Sequence, residues 1–166
     1  MINHHFILVG FMGVGKTTVG RRVAKQLGLD FCDLDAKIVQ KYGTIQSIFK
    51  DHGESYFREI EFKIFESSLK ATKPFVISTG GGIVTHKPSL NCLESCSNII
   101  WLQASYNTVL KRVSYDASNK RPLVDDQFQE RFNSRQSLYE SVSSFTVNVD
   151  HIRVEEVAEK IINRYG

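Results

Sequence analysis

Eight consecutive residues constrain this chain more than any other feature: Gly10-Phe11-Met12-Gly13-Val14-Gly15-Lys16-Thr17 fits the pattern G-x-x-x-x-G-K-S/T in full. Each residue type has a physical reason to be there. Glycines let backbone N–H groups turn inward and approach phosphate oxygens without a Cβ in the way. A helix beginning near Lys16 aims its free N–H groups and its dipole at the same anion. The Lys16 ammonium reaches the β- and γ-phosphates, and the Thr17 hydroxyl is a ligand for Mg²⁺. A glycine-rich turn with no ligand is the plain alternative, and the surroundings weigh against it. The apolar run Phe6 to Val9 precedes the motif, and an amphipathic helix follows, with Val19, Val23 and Leu27 at a spacing of four and Gly28 as its stop. The motif therefore predicts a nucleoside-triphosphate site at Gly13, Val14, Gly15, Lys16, Thr17 and Thr18.

The rest of the chain alternates short apolar runs with amphipathic stretches. Further strands are expected at Phe31 to Leu34, Phe75 to Ile77, Asn98 to Leu102 and Phe145 to Val149. Helices are expected over Ala36 to Tyr42, Thr44 to Phe49, Glu54 to Lys70, Thr108 to Val113 and Asp126 to Val142, and around the period-3.6 set Val154, Val157, Ala158, Ile161, Ile162. Five short strands separated by helices predict a three-layer α/β/α fold with a five-stranded parallel sheet, in which ligands bind beyond the carboxyl ends of the strands. No linker or repeat divides residues 1–166, so one domain is expected. The chain is 42% hydrophobic and 23% charged, which suits a soluble globular protein. A net charge of +3 is too weak to argue for a nucleic-acid partner. Three irregularly placed cysteines imply no disulfide framework. No apolar run approaches the roughly 18 residues of a membrane span, and Met1 to Phe6 lacks the features of a signal peptide. A cytoplasmic location is expected.

Residues just after the strands carry the rest of the chemistry. Asp33 and Asp35 are two apart at a strand end, and extended geometry would point both carboxylates into one cleft; a solvated strand end or a helix cap is the bland reading. Arg58 suits a bidentate carboxylate clamp, against a surface ion pair with Glu54 or Glu61. Gly80-Gly81-Gly82 follows the third strand, where backbone must approach a ligand or take positive φ, and no acidic metal ligand stands there. The polar stretch from about 114 to 126 reads as a mobile lid carrying Arg121, against an ordinary basic surface loop. Arg131, Arg135 and Tyr139 share a helical face: Arg135 is a candidate second anion clamp, Arg131 a solvated helix residue, and Tyr139 a packing residue with its hydroxyl at the edge. The His4-His5 pair and Cys92-x-x-x-Cys96 lack partners for a metal site.

Taken together, these segments resemble the shikimate kinase family over essentially the whole chain. The resemblance rests on the phosphate loop, Asp33-Leu34-Asp35, Gly53-Glu54 through Arg58-Glu59 and Glu61, Thr79-Gly80-Gly81-Gly82, Arg121-Pro122-Leu123, and Arg135 with Tyr139. It implies a P-loop kinase that transfers the ATP γ-phosphate to the 3-hydroxyl of shikimate in aromatic amino-acid synthesis. By the same resemblance Asp35 holds the acceptor hydroxyls and acts at or near the catalytic base, with Lys16 and Arg121 as the other catalytic groups. Arg58 and Arg135, with the backbone of Gly80, Gly81 and Gly82, hold the acceptor carboxylate. Asp33 organises Mg²⁺ through water beside Thr17, Arg121 closes over the phosphate, and Arg112 lies against the adenine. The stretch between Arg112 and Arg121 is slightly longer than is usual in the family. A monomer with shikimate and ATP as small-molecule partners is expected. A gluconate or nucleoside monophosphate kinase on the same scaffold, and a nucleotide-binding module without catalysis, are the competing readings.

Overall fold

A computed structural model describes residues 5–115 and 125–165. Its five strands, β1 (Phe6–Val9), β2 (Asp30–Asp33), β3 (Phe75–Ser78), β4 (Ile99–Gln103) and β5 (Phe145–Asn148), form one sheet in the order β2-β3-β1-β4-β5. All four pairings are parallel, with Ile7 opposite Ile77 on one side and Ile99 on the other. β1 is the central strand, and its four residues are all buried, as a continuous apolar run covered on both faces requires. The strand order reverses beside β1, so its carboxyl end, where the phosphate loop begins, lies at the crevice that open α/β sheets use for ligands.

Seven helices flank the sheet among the described residues: α1 (Lys16–Leu27), α2 (Leu34–Tyr42), α3 (Ile45–Leu69), α4 (Lys87–Glu94), α5 (Tyr106–Tyr115), α6 (Phe128–Val142) and α7 (Val154–Tyr165). Helix α1 packs on α7, and α3, α4 and α6 pack in succession, with a short 3₁₀ turn at Ile83–Thr85 between them. The expected helices over Thr44 to Phe49 and Glu54 to Lys70 are one run with a kink at Gly53, whose φ of 82° and ψ of 175° leave the helical region. Thr44 caps its start, accepting from Ser47 N at 3.2 Å. Helix α4 follows from Pro88 in its first turn and was legible only as a possible helix around Cys92.

One expectation needs correction. Asp35 does not lie on a strand. β2 ends at Asp33, whose Oδ1 accepts from Ala36 N at 3.1 Å and caps α2, so Asp35 sits in the first helical turn. His5 has a structural part. Its Nδ1 accepts from Phe75 N at 3.1 Å, which leaves Nε2 as the donor to Leu69 O at 3.1 Å, so one neutral ring joins the starts of β1 and β3 to the end of α3. Most of the expected lid, 116–124, lies outside the described residues; 114 and 115 belong to α5. Among the described residues no helix is long and apolar enough to cross a membrane.

Gly20 marks where α1 meets the sheet. A Cβ there would lie 2.6 Å from Phe31 Cε2 and 3.0 Å from Leu8 Cδ1. Gly20→Val is expected to lower stability by about 1–3 kcal/mol through overpacking, despite valine's better helix propensity. Urea denaturation checks this, and an unchanged midpoint would contradict it.

Candidate active site

The phosphate loop runs from β1 into α1. Gly15 takes φ 98° at the helix N-cap, a conformation that suits glycine. Lys16 is buried, and its Nζ donates to Gly10 O at 2.7 Å and Phe11 O at 2.9 Å. Burial pulls its ammonium down to about 8, against the opposing fields of Asp35, Asp33 and Glu61. Its ammonium is thus held beneath the loop by two backbone carbonyls, within the field of three carboxylates. Thr17 Oγ1 donates to Asp33 Oδ2 at 2.7 Å and lies 3.4 Å from Ser78 Oγ. Among the described residues no group of three or more His, Cys, Asp or Glu gathers as a metal site. One hydroxyl and one carboxylate in contact nonetheless fit Mg²⁺, which keeps most of its waters and takes few protein ligands beside phosphates.

A cavity of about 730 Å³ opens over this loop, lined by Gly13, Gly15, Lys16, Thr17, Thr18, Asp33, Asp35 and Arg112 among others. Arg112 Nη1 donates to Val14 O at 3.2 Å and Nη2 to Val149 O at 3.4 Å, so its guanidinium rests on the outer side of the loop. Val14 turns its side chain into the core and takes part through its backbone.

A second cavity, of about 370 Å³, adjoins the first. Asp35, Arg58, Gly80, Gly81, Gly82 and Arg135, which the sequence assigned to an acceptor, all line it. Arg58 Nη1 donates to Glu61 Oε2 at 2.7 Å, and its Nε and Nη2 donate to Glu54 Oε1 at 3.3 and 3.1 Å. The ion-pair reading of Arg58 therefore holds, with Glu54 and Glu61 both engaged, and the same residue lines the pocket. Burial pushes the Glu61 carboxyl up, with the Arg58 guanidinium pulling the other way. Arg135 is buried over the Phe11 ring, 5.6 Å from its centroid, so a phosphate-loop side chain supports its guanidinium. Its guanidinium is held below its ordinary value by burial, the Tyr139 side chain opposing this and Arg58 adding to it.

None of the three glycines takes positive φ; Gly80 and Gly82 make room for side chains and Gly81 for the phosphate-loop backbone. A Cβ on Gly80 would lie 2.2 Å from Glu61 Oε1, one on Gly81 3.1 Å from Met12 N, and one on Gly82 2.0 Å from Arg58 Nη2. Tyr139 is fully buried, and its hydroxyl donates to Gly81 O, so it clamps this turn as well as packing.

Sequence reasoning missed part of this pocket. Arg131 is not simply solvated. It lines the cavity and pairs with Asp125, Nη2 to Oδ1 at 2.9 Å and Nη1 to Oδ2 at 3.2 Å. Its position one turn before Arg135 was the available signal. Met12, Ile45, Phe49 and Phe57 form an apolar wall that no motif announced. Arg121 lies outside the described residues. The two cavities share Met12, Asp35 and Gly81, so a nucleotide in one and an acceptor in the other would meet beside the Asp35 carboxylate.

A phosphate loop at the carboxyl end of a central parallel strand, joined to a small arginine-bearing pocket, defines a P-loop phosphotransferase acting on a small molecule. The family model described as shikimate kinase matches residues 12–165. The shikimate kinase of Lactococcus lactis subsp. cremoris strain MG1363 is 39% identical, over 96% of this chain and 96% of that protein. That of Enterococcus faecalis strain V583 is 35% identical, over 95% and 96%. A solved shikimate kinase from Acinetobacter baumannii, in complex with shikimate, superposes with a TM-score of 0.88 at 30% identity, covering 98% of this chain and 93% of that one. A gluconokinase from Sinorhizobium meliloti, at 16% identity and a TM-score of 0.68, shares the fold alone. This chain belongs to the shikimate kinase family, and is an ATP-dependent kinase.

Because Glu61 is raised above its ordinary value of 4.5, the native state binds its proton more readily than the unfolded chain does. The wild type should therefore lose stability relative to Glu61→Gln as pH rises from 4.5 through the raised value. Urea midpoints of both proteins across that interval check this, and a constant difference would contradict it.

Proposed function

We propose that this chain transfers the γ-phosphoryl group of ATP to the 3-hydroxyl of shikimate, giving shikimate 3-phosphate and ADP. The observation that carries the reading is the shared wall at Met12, Asp35 and Gly81, where the two cavities meet. Shikimate is a small carboxylate with several hydroxyls, so two arginines and one carboxylate complement it. Arg58 and Arg135 hold its carboxylate against the Gly80 to Gly82 backbone. Asp35 accepts a hydrogen bond from the attacking hydroxyl and takes its proton as the oxygen bonds to the γ-phosphorus and the bond to the ADP oxygen breaks.

The phosphate-loop backbone and Lys16 hold the triphosphate, with Arg112 beside the adenine. Thr17 and, through water, Asp33 would hold Mg²⁺, which supplies charge neutralisation between the β- and γ-phosphates. Arg121 is assigned to the charge on the transferring group. All the assigned groups come from one chain, consistent with a monomer.

ADP release in the presence of Mg²⁺ and ATP tests this reading with shikimate, gluconate, a mixture of nucleoside monophosphates, or no acceptor. Release stimulated by shikimate alone is expected; stimulation by another acceptor, or by none, overturns it. Asp35→Asn is expected to lower kcat by a factor of about 10² or more, the usual worth of a positioned general base. Arg58→Ala should mainly raise the shikimate KM, and an effect confined to the ATP KM would contradict its assignment.

A further inference from the structure

Arg58 stands between two carboxylates that differ in almost every respect. Glu61 is completely buried beneath it, while the Glu54 side chain is 58% exposed and lines the mouth of the same cavity. A guanidinium has five N–H donors. Glu61 engages Nη1, and Glu54 engages both Nε and Nη2 through a single oxygen. Glu54 therefore already engages Arg58 within the cavity that both residues line.

An acceptor carboxylate arriving at Arg58 would be the third anion around one cation. Like charges at such separations repel strongly where water is excluded. Glu61 has no route out, because it is enclosed and a Cβ on Gly80 would lie 2.2 Å from its Oε1. Glu54 has one, since it is the first residue after the Gly53 kink and its exposed side chain needs only rotate into solvent. Its ion pair costs little to break, being exposed and spaced i,i+4.

We propose that Glu54 is an internal competitor for the acceptor's carboxylate. It occupies Arg58 in the empty site, swings out when the acceptor binds, and returns to displace the carboxylate of the product. Glu54 thereby sets acceptor affinity below what Arg58 alone would give, in exchange for easier release. The inference rests on the assignment of Arg58 as a carboxylate clamp.

The test is the shikimate dissociation constant of Glu54→Gln, measured by calorimetry beside its steady-state kinetics. Glutamine keeps the shape of the side chain and removes the competing charge. The expected result is a shikimate Kd lower by about 2- to 5-fold, the range an exposed ion pair commands. Inhibition by shikimate 3-phosphate should strengthen similarly, with the ATP KM unchanged. A Kd that stays the same or rises overturns the proposal, the latter making Glu54 a support for Arg58. Arg58→Ala separates the two layers: if it leaves the shikimate Kd unaltered, the clamp assignment itself fails.

Discussion

Three adjacent glycines after β3 set the geometry on which both halves of the site depend. Each is required by a different neighbour: Gly80 by the Glu61 carboxylate, Gly81 by the backbone of Met12 in the phosphate loop, and Gly82 by the Arg58 guanidinium. A Cβ at Gly80 or Gly82 would enter space already filled by a pocket-lining side chain, and one at Gly81 would crowd the phosphate-loop backbone. Tyr139 holds the middle of the turn from α6, and Thr79 Oγ1 donates to Leu8 O at 2.9 Å, tying its start to the central strand. The turn is thus the seam along which Arg58 and Glu61 of α3 are brought against the phosphate loop carried between β1 and α1.

The charges gathered around that seam are expensive. Lys16, Glu61 and Arg135 are all buried, and ions out of water cost several kcal/mol each before pairing returns part of it. A buried ion pair is weak evidence for stability, and here the pairing serves placement. Glu61 fixes one edge of Arg58, the Phe11 ring supports Arg135, and two backbone carbonyls hold Lys16. The apolar sheet core, with β1 buried along its whole length, carries this polar cluster at its carboxyl edge. Stability and chemistry are separated along the strands, as open parallel sheets allow.

Much of this was legible in the sequence. The phosphate loop announces its own strand, turn and helix, and runs such as Ile99 to Leu102 are too apolar to be anything but buried. The pairing of Asp33 with Asp35 on one cleft was correctly expected for the wrong reason. Strand alternation suggested it, whereas the Asp33 carboxylate ends the strand by capping α2, and a helical turn delivers Asp35. The triple glycine was read as room for a ligand, but its first occupants are the protein's own groups, two side chains and the phosphate-loop backbone. Arg131 and the apolar wall were missed because a helical spacing says which residues share a face, not what that face meets. That depends on how α6 packs near the 3₁₀ turn, a tertiary fact with no local signature. Glu54 illustrates the same limit: its i,i+4 spacing to Arg58 predicts an ion pair on any helix, and only the cavity makes that pair part of a binding site.

The seam is tested most directly by Gly82→Ala, with shikimate and a non-hydrolysable ATP analogue titrated separately by calorimetry. Its Cβ would press on Arg58 at 2.0 Å and leave the phosphate loop untouched. The account predicts shikimate binding weakened by at least about tenfold, a loss of about 1.4 kcal/mol, with nucleotide affinity within about twofold of wild type. Shikimate affinity retained within about twofold in a folded Gly82→Ala protein would mean that the turn does not set the acceptor clamp, and the account would be wrong.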